Sequence, residues 1–107
     1  MSESAIVRAI IKKVRAEYPA AYVRKFADRH TRGLPDLVIM LLCAIGEYEP
    51  GRNYCGVLFV EAKTMYGRVG PLQVSEQNAI LRAGGRAIFA RSPEEVMNEL
   101  TAMGAVR

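Results

Sequence analysis

The strongest indication of the fold is an apolar segment, Leu37-Val38-Ile39-Met40-Leu41-Leu42-Cys43. Apolar side chains stand at both odd and even positions, which predicts a strand buried on both faces at the centre of a helix-covered sheet. A second buried strand is predicted over Tyr54–Lys63, and Pro35-Asp36 immediately precedes the first. Two such strands indicate an α/β domain.

Five further elements are predicted on either side of these strands. They are a helix from about Glu3 to Glu17 capped by Ser2, a strand over Ala21–Ala27, a helix from Pro71 to the Gly84-Gly85 pair, a strand over Arg86–Ala90 and a helix through about Met103. The last helix begins with the capping box Ser92-Pro93-Glu94-Glu95. The order α-β-β-β-α-β-α predicts a single domain over residues 1–107, in which helices flank a mixed central sheet.

The composition is that of an ordinary globular protein and excludes several classes. At 107 residues, 50% hydrophobic and 24% charged, the chain is neither disordered nor fibrous and has room for one core. No apolar run is long enough to span a bilayer, and we expect no secretory signal. Cys43 and Cys55 are too few for a disulfide framework, so both are expected to be buried free thiols. The net charge of +4 is compatible with a polyanionic partner.

The candidate chemistry lies at the ends of the two apolar strands. Because side chains alternate along a strand, Glu61 and Lys63 are expected on one face, and strand pairing would bring Asp36 beside them. Two converging carboxylates repel, and together with the Ala62 carbonyl they offer the oxygen ligands that Mg²⁺ prefers. Lys63 would then face a metal-bound water and the phosphate under attack. Taken singly, the Glu61 and Lys63 pair is also consistent with a solvated strand end, and Pro35-Asp36 with a turn.

Several motifs together make the sequence similar to a known family. They are Gly33-Leu34-Pro35-Asp36-Leu37, Val60-Glu61-Ala62-Lys63, Gly67-Arg68 and Pro71-Leu72-Gln73 before a helix that ends at Ala83-Gly84-Gly85. In this order they resemble the virus-type replication-repair nuclease (VRR-NUC) family of the PD-(D/E)xK nuclease superfamily. The resemblance covers nearly the whole chain and implies a restriction-endonuclease-like fold, in a stand-alone member of the kind typical of phages and prophages.

The resemblance also implies roles for individual residues. Asp36 and Glu61 match the metal-binding acids, Lys63 matches the catalytic lysine, and Gln73 matches a glutamine that supports the site and its phosphate. Glu3 matches an acid of the first helix that reaches the metal directly or through water, although the helix dipole equally explains it. The alternative for Gln73 is an exposed polar residue in the first helical turn. Gly70 departs from the family pattern, since a Ser or Thr cap is expected there.

Basic residues surround the predicted site, and we expect them to contact the phosphate backbone of DNA without reading its sequence. They are Arg24, Lys25, Arg29, His30, Arg32 and Arg68. His30 could instead act as a general base or simply be exposed.

The sequence therefore predicts a Mg²⁺- or Mn²⁺-dependent, structure-selective DNA endonuclease that hydrolyses phosphodiester bonds with metal-activated water. By resemblance, it would act as a homodimer that resolves four-way (Holliday) junctions in the cytoplasm of a bacterial host or phage-infected cell. The alternatives are a flap- or nick-directed nuclease, a restriction-like duplex nuclease, a non-catalytic DNA-binding module of the same fold, and a structural subunit.

Overall fold

The computed structural model describes residues 1–26, 33–45 and 52–107. In these ranges the chain forms α1 (Glu3–Glu17), β1 (Tyr22–Lys25), β2 (Leu37–Ala44), β3 (Asn53–Ala62), α2 (Pro71–Arg82), β4 (Arg86–Ala90) and α3 (Pro93–Ala102). The predicted element order and α/β class are confirmed. No helix in the described ranges is long and apolar enough to cross a membrane.

The helix starts follow from local capping. Ser2 Oγ accepts a hydrogen bond from the Ala5 N–H at 3.1 Å, which satisfies one of the free amides at the start of α1. At α3, Ser92 Oγ accepts from the Glu95 N–H at 3.4 Å. The Glu95 carboxylate accepts from the Arg91 N–H at 2.9 Å, so the return bond of the predicted capping box reaches one residue further back than expected.

The four strands form one mixed sheet in the order β1-β2-β3-β4. β2 pairs antiparallel with both β1 and β3, whereas β3 and β4 are parallel. In the β2–β3 register Leu37 lies opposite Val60, so Asp36 and Glu61 follow at the same end of the sheet. The pairing of Ala62 with Ala90 brings the end of β4 to the same place.

Helices cover the two faces of the sheet unequally. α1 and α3 pack on one face and form the core with it, through buried residues that include Ile10, Val14, Ile39, Val60 and Leu100. α2 lies on the other face, where Gln77 Nε2 donates to the Ala87 carbonyl at 3.0 Å. None of the twelve residues of α2 is fully buried. The sheet therefore has one closed face and one partly open face.

Two predictions about burial are wrong on the partly open face of the sheet. Alternate residues of β2 from Leu37 to Cys43 are buried, but Met40 and Leu42 between them are 38% and 50% exposed. Cys43 is a buried free thiol as expected, whereas Cys55, opposite Leu42, is exposed. The physical reason is that α2 packs mainly against the edge strand β4 and leaves this face of β2 open.

Candidate active site

Asp36 lies at the entry to β2 and is held there by the main chain of β3. Its Oδ2 accepts a hydrogen bond from the Ala62 N–H at 2.7 Å, and its own N–H donates to the Val60 carbonyl at 2.9 Å. Burial raises the pKa of Asp36 above its ordinary value, while the Ala62 hydrogen bond and the Lys63 charge oppose the rise. The carboxylate is thus fixed beside the end of β3 in a partly desolvated position.

Glu61 is the second carboxylate of the pair. Its Oε1 accepts a hydrogen bond from Gln73 Nε2 at 2.7 Å, whereas its Oε2 is buried with no hydrogen-bond partner among the described residues. Burial, followed by repulsion from Asp36, raises the pKa of Glu61 to about 7. A buried carboxylate oxygen without a partner is destabilising, and a bound cation would satisfy it.

Gln73 connects the start of α2 to Glu61. Its Oε1 accepts from the Gly70 N–H at 2.9 Å, and its Nε2 donates to Glu61. Gly70 has no side chain to cap the helix, so Gln73 supplies one half of a capping box. A single amide therefore fixes both the helix N-terminus and the carboxylate.

Lys63 follows the last residue of β3 and is 7% exposed. Its N–H donates to the Ala90 carbonyl at 2.8 Å, and its Nζ lies 3.6 Å from Oε1 of Glu3 in α1. Its positive charge lowers the pKa of both Asp36 and Glu61. The ammonium is thus held close to the carboxylate pair by contacts on two sides.

The contacts differ from the expectation that Glu61 and Lys63 share one face of the sheet. Glu61 contacts α2, and Lys63 contacts α1 on the opposite side. Side-chain alternation holds only within the strand, which ends at Ala62, so it does not fix the direction of Lys63. The two charges reach the same end of the sheet from different sides.

The residues at this end fit a divalent cation held by two carboxylates. Burial raises the pKa of Asp36 and of Glu61, and a cation would relieve both the desolvation and the repulsion between them. In the described part of the chain no group of three or more His, Cys, Asp or Glu could hold a metal ion. Asp36, Glu61 and a main-chain oxygen such as the Ala62 carbonyl are thus the candidate ligands. Glu3 pairs with Lys63, and its charge also raises the pKa of Asp36 and Glu61, so its carboxylate lies close to the pair and its predicted contact with the metal stays a prediction.

Three of the predicted DNA-binding residues fall within the described ranges, and all three are exposed: Arg24, Lys25 and Arg68. The Arg24 guanidinium lies 4.2 Å from the centre of the Tyr22 ring. Lys25 helps to lower the pKa of Asp36, which places its charge near the site. Arg29, His30 and Arg32 lie outside the described residues.

Two residues near the site were not singled out from the sequence. Gln77 lies one turn after Gln73 and lines, with Glu61, a cleft of about 10 Å³ that has room for about one water. Because residues four positions apart are neighbours on a helix surface, the spacing from Gln73 could have indicated Gln77 from the sequence. Arg91 follows β4, and its Nη1 donates to carbonyls of the loop after Lys63. The sequence around Arg91 does not predict this contact, because the contact depends on the pairing of β3 with β4.

Comparison with known proteins supports the architecture. No protein-family model matches the sequence, and no curated protein matches it. A solved structure described as "VRR_NUC domain" is similar to this chain, with a TM-score of 0.66 and 22% sequence identity over 94% of each chain. The chain has the fold of a VRR_NUC domain. The VRR-NUC fold predicted from the motifs is thereby confirmed, and in this fold Asp36, Glu61 and Lys63 lie close together at one end of the sheet.

Proposed function

We propose that this chain is a divalent-metal-dependent DNA endonuclease. The observation that carries the proposal is the half-buried carboxylate pair of Asp36 and Glu61, in which the buried Oε2 of Glu61 has no hydrogen-bond partner among the described residues. The VRR_NUC fold and the neighbouring Lys63 ammonium support it. Mg²⁺ or Mn²⁺ bound by Asp36, Glu61 and the Ala62 carbonyl would supply a Lewis acid and a water of lowered pKa.

Side chains of this chain would supply the other functions that the proposed reaction needs. Lys63, buried and close to both carboxylates, would neutralise the charge that develops on phosphate in the transition state. Glu3 holds the Lys63 ammonium, and Gln73 orients the Glu61 carboxylate. Exposed Arg24, Lys25 and Arg68 would contact the DNA backbone.

The deciding experiment is incubation of the chain with end-labelled DNA in Mg²⁺, Mn²⁺ or excess chelator. We expect cleavage with either ion and none with chelator. Glu61→Gln and Asp36→Asn should reduce the cleavage rate by about 100-fold or more while leaving DNA binding largely intact, because other residues hold the phosphates. Glu17→Gln is the matched control, since Glu17 lies about 21 Å along α1 from Glu3. Undiminished cleavage in chelator, or by Glu61→Gln, would refute the proposal.

Within this function we propose a four-way junction as the preferred substrate and a homodimer as the active form. The described residues of one chain supply one such carboxylate pair, and symmetric cleavage of a junction requires two sites. Two copies related by a two-fold axis would present their sites to strands related by the junction's own symmetry. Flap, nicked and linear duplex DNA assayed beside the junction test the alternative substrates. Binding without cleavage of any of them would instead favour a non-catalytic DNA-binding module.

A further inference from the structure

A short loop directly after Lys63 carries two large exposed side chains. Met65 is 74% exposed and Tyr66 is 92% exposed. Single exposed apolar residues are ordinary on protein surfaces, but these two are consecutive and lie within three residues of Lys63. Neither belongs to the hydrophobic core.

This loop is nevertheless held firmly. Arg91 Nη1 donates to the carbonyls of Thr64, Met65 and Gly67, the latter two at 3.1 Å. The Gly67 N–H donates back to the Thr64 carbonyl at 3.0 Å and closes a turn. The exposed Tyr66 therefore lies in a turn that Arg91 orders through hydrogen bonds at the protein surface.

Arg91 is itself fixed by the start of α3. Its N–H donates to Glu95 Oε2 at 2.9 Å, and the Glu95 N–H donates to Ser92 Oγ at 3.4 Å. The guanidinium, a group otherwise suited to phosphate binding, is directed at three main-chain carbonyls. It orders the turn that carries Tyr66, three residues after Lys63.

We propose that Tyr66 stacks on a nucleobase next to the phosphate at the Lys63 site, and that Arg91 is the positioning residue for its turn. This inference rests on the proposed function, since it takes DNA as the ligand. An aromatic ring presented in a fixed position binds a base with little loss of conformational freedom. In a continuous duplex both faces of a base are covered by its neighbours. A branch, nick or strand end leaves a face available. Tyr66 would therefore favour interrupted DNA over continuous duplex.

The test measures binding in chelator, so that it does not depend on cleavage. Four-way junction, flap and linear duplex DNA each carry the fluorescent base 2-aminopurine beside the branch or at the matching duplex position. Binding of the wild-type chain should change its fluorescence in junction and flap. Tyr66→Ala should abolish this change and weaken binding to interrupted DNA about tenfold, equivalent to roughly 1.4 kcal/mol, with less than a twofold effect on duplex. Tyr66→Phe keeps the ring and should behave as wild type.

The Arg91→Lys variant tests whether Arg91 acts by positioning the turn that carries Tyr66 or only by its positive charge. It keeps one positive charge on a shorter side chain without the planar guanidinium, so it should reduce the fluorescence change while leaving the salt dependence of binding unchanged. Leu81→Ala, an exposed apolar side chain near the other end of α2, is the control and should alter neither measurement.

The outcomes distinguish this inference from the proposed function. If the chain binds DNA but never cleaves it, the endonuclease proposal fails, and the Tyr66→Ala fluorescence still decides the stacking. An unaltered fluorescence change in Tyr66→Ala, or equal loss of affinity for duplex and junction, overturns the inference while cleavage stands. Wild-type fluorescence in Arg91→Lys overturns the positioning role. Binding to none of the DNAs, as a protein-docking role for Met65 and Tyr66 predicts, overturns both proposals.

Discussion

Two carboxylates define the site at the scale of single residues. Asp36 is restrained by main-chain hydrogen bonds and Glu61 by the Gln73 amide, so neither can easily turn away from the other. Burial is the largest cause of the raised pKa in both. Without a cation the pair therefore lowers the stability of the fold whenever both groups are ionised.

This predicts an unusual dependence of stability on pH in chelator. The pKa of Glu61 is about 7 in the folded chain and 4.5 ordinarily, so the folded state binds its proton more tightly. Ionisation of Glu61 therefore begins to reduce the free energy of unfolding above about pH 4.5 and has its full effect above about pH 7. Glu61→Gln lacks this titration and should be more stable than wild type above pH 7, by about 1 kcal/mol once solvent screening is allowed for.

Urea denaturation at several pH values between 4 and 8 measures this difference. Taking variant minus wild type removes the contributions of carboxylates that do not interact with Glu61, and the change at the neighbouring Asp36 is part of the measured difference. Parallel stability curves for the two chains would contradict the assigned burial of Glu61.

A divalent cation bound by Asp36 and Glu61 should restore the folding stability that ionisation of this pair removes at neutral pH. We expect Mg²⁺ at pH 8 to raise the thermal midpoint of the wild-type chain, because it binds the folded carboxylate pair and not the unfolded chain. Glu61→Gln should show little increase, and the distal variant Glu17→Gln should respond as wild type. Equal increases in wild type and Glu61→Gln would place the ion elsewhere.

At the scale of elements, the contact between α2 and the segment before β2 sets the distance between Gln73 and the carboxylates. Gly33 makes this contact possible. It has a φ of +83°, and an added Cβ would lie 2.6 Å from the Leu72 carbonyl oxygen in the first turn of α2. The backbone here requires glycine for both its conformation and its lack of a side chain.

Gly84 provides a matched control for a Gly33→Ala variant. Gly84 also has a positive φ, +87°, but an added Cβ would meet no atom within 4 Å. Both alanine variants should be destabilised by about 1 kcal/mol through backbone strain. Only Gly33→Ala should lose stability beyond that and reduce cleavage, because it displaces α2 from Asp36 and Glu61. Denaturation and cleavage rates measure the two effects, and identical behaviour of the variants would show that the Leu72 contact is unimportant.

The helices and strands whose bounds were predicted correctly are those with a cap or turn residue next to them in the sequence. α1 and β4 have the predicted bounds, because a Ser cap begins the helix and the Gly84-Gly85 pair precedes the strand. The exposure of Met40 and Cys55 could not be predicted, since the apolar pattern does not say how far α2 extends over the sheet. The carboxylate pair followed from strand pairing and from the family resemblance, but the contact of Lys63 with Glu3 joins residues 60 positions apart and has no local signal.

At the scale of the whole molecule, exposed basic side chains lie near the carboxylate end of the sheet. Lys25 is close enough to affect the Asp36 carboxyl, and Arg68 follows the turn that carries Tyr66. A polyanion approaching this end would therefore meet positive charge before the carboxylates.

We expect the affinity for DNA to fall steeply with salt, and Arg68→Ala or Arg24→Ala to reduce both the affinity and its salt slope. Each lost phosphate contact should lower the slope by about 0.9 for duplex DNA. Arg107→Ala, which removes a partner of Glu17 instead, should leave the slope unchanged. Fluorescence anisotropy at several salt concentrations measures this. A slope that is insensitive to Arg24 and Arg68 would place the DNA on another surface.

The proposed homodimer is tested by sedimentation at micromolar concentration. We expect a species of twice the 11.8 kDa chain mass. A strictly monomeric chain that still makes paired, symmetric cuts in a four-way junction would contradict the argument from symmetry.

The Lys63 amide is held by the carbonyl of Ala90, and the next residue of the chain, Arg91, holds the following turn. During translation, the ribosome releases Asp36, Glu61, Lys63 and Gln73 well before these two supports. A nascent polypeptide that ends before β4 thus carries every acidic and basic group of the proposed reaction, but lacks the strand that fixes the lysine. In the proposed nuclease, a translation product interrupted before β4 would therefore be inactive.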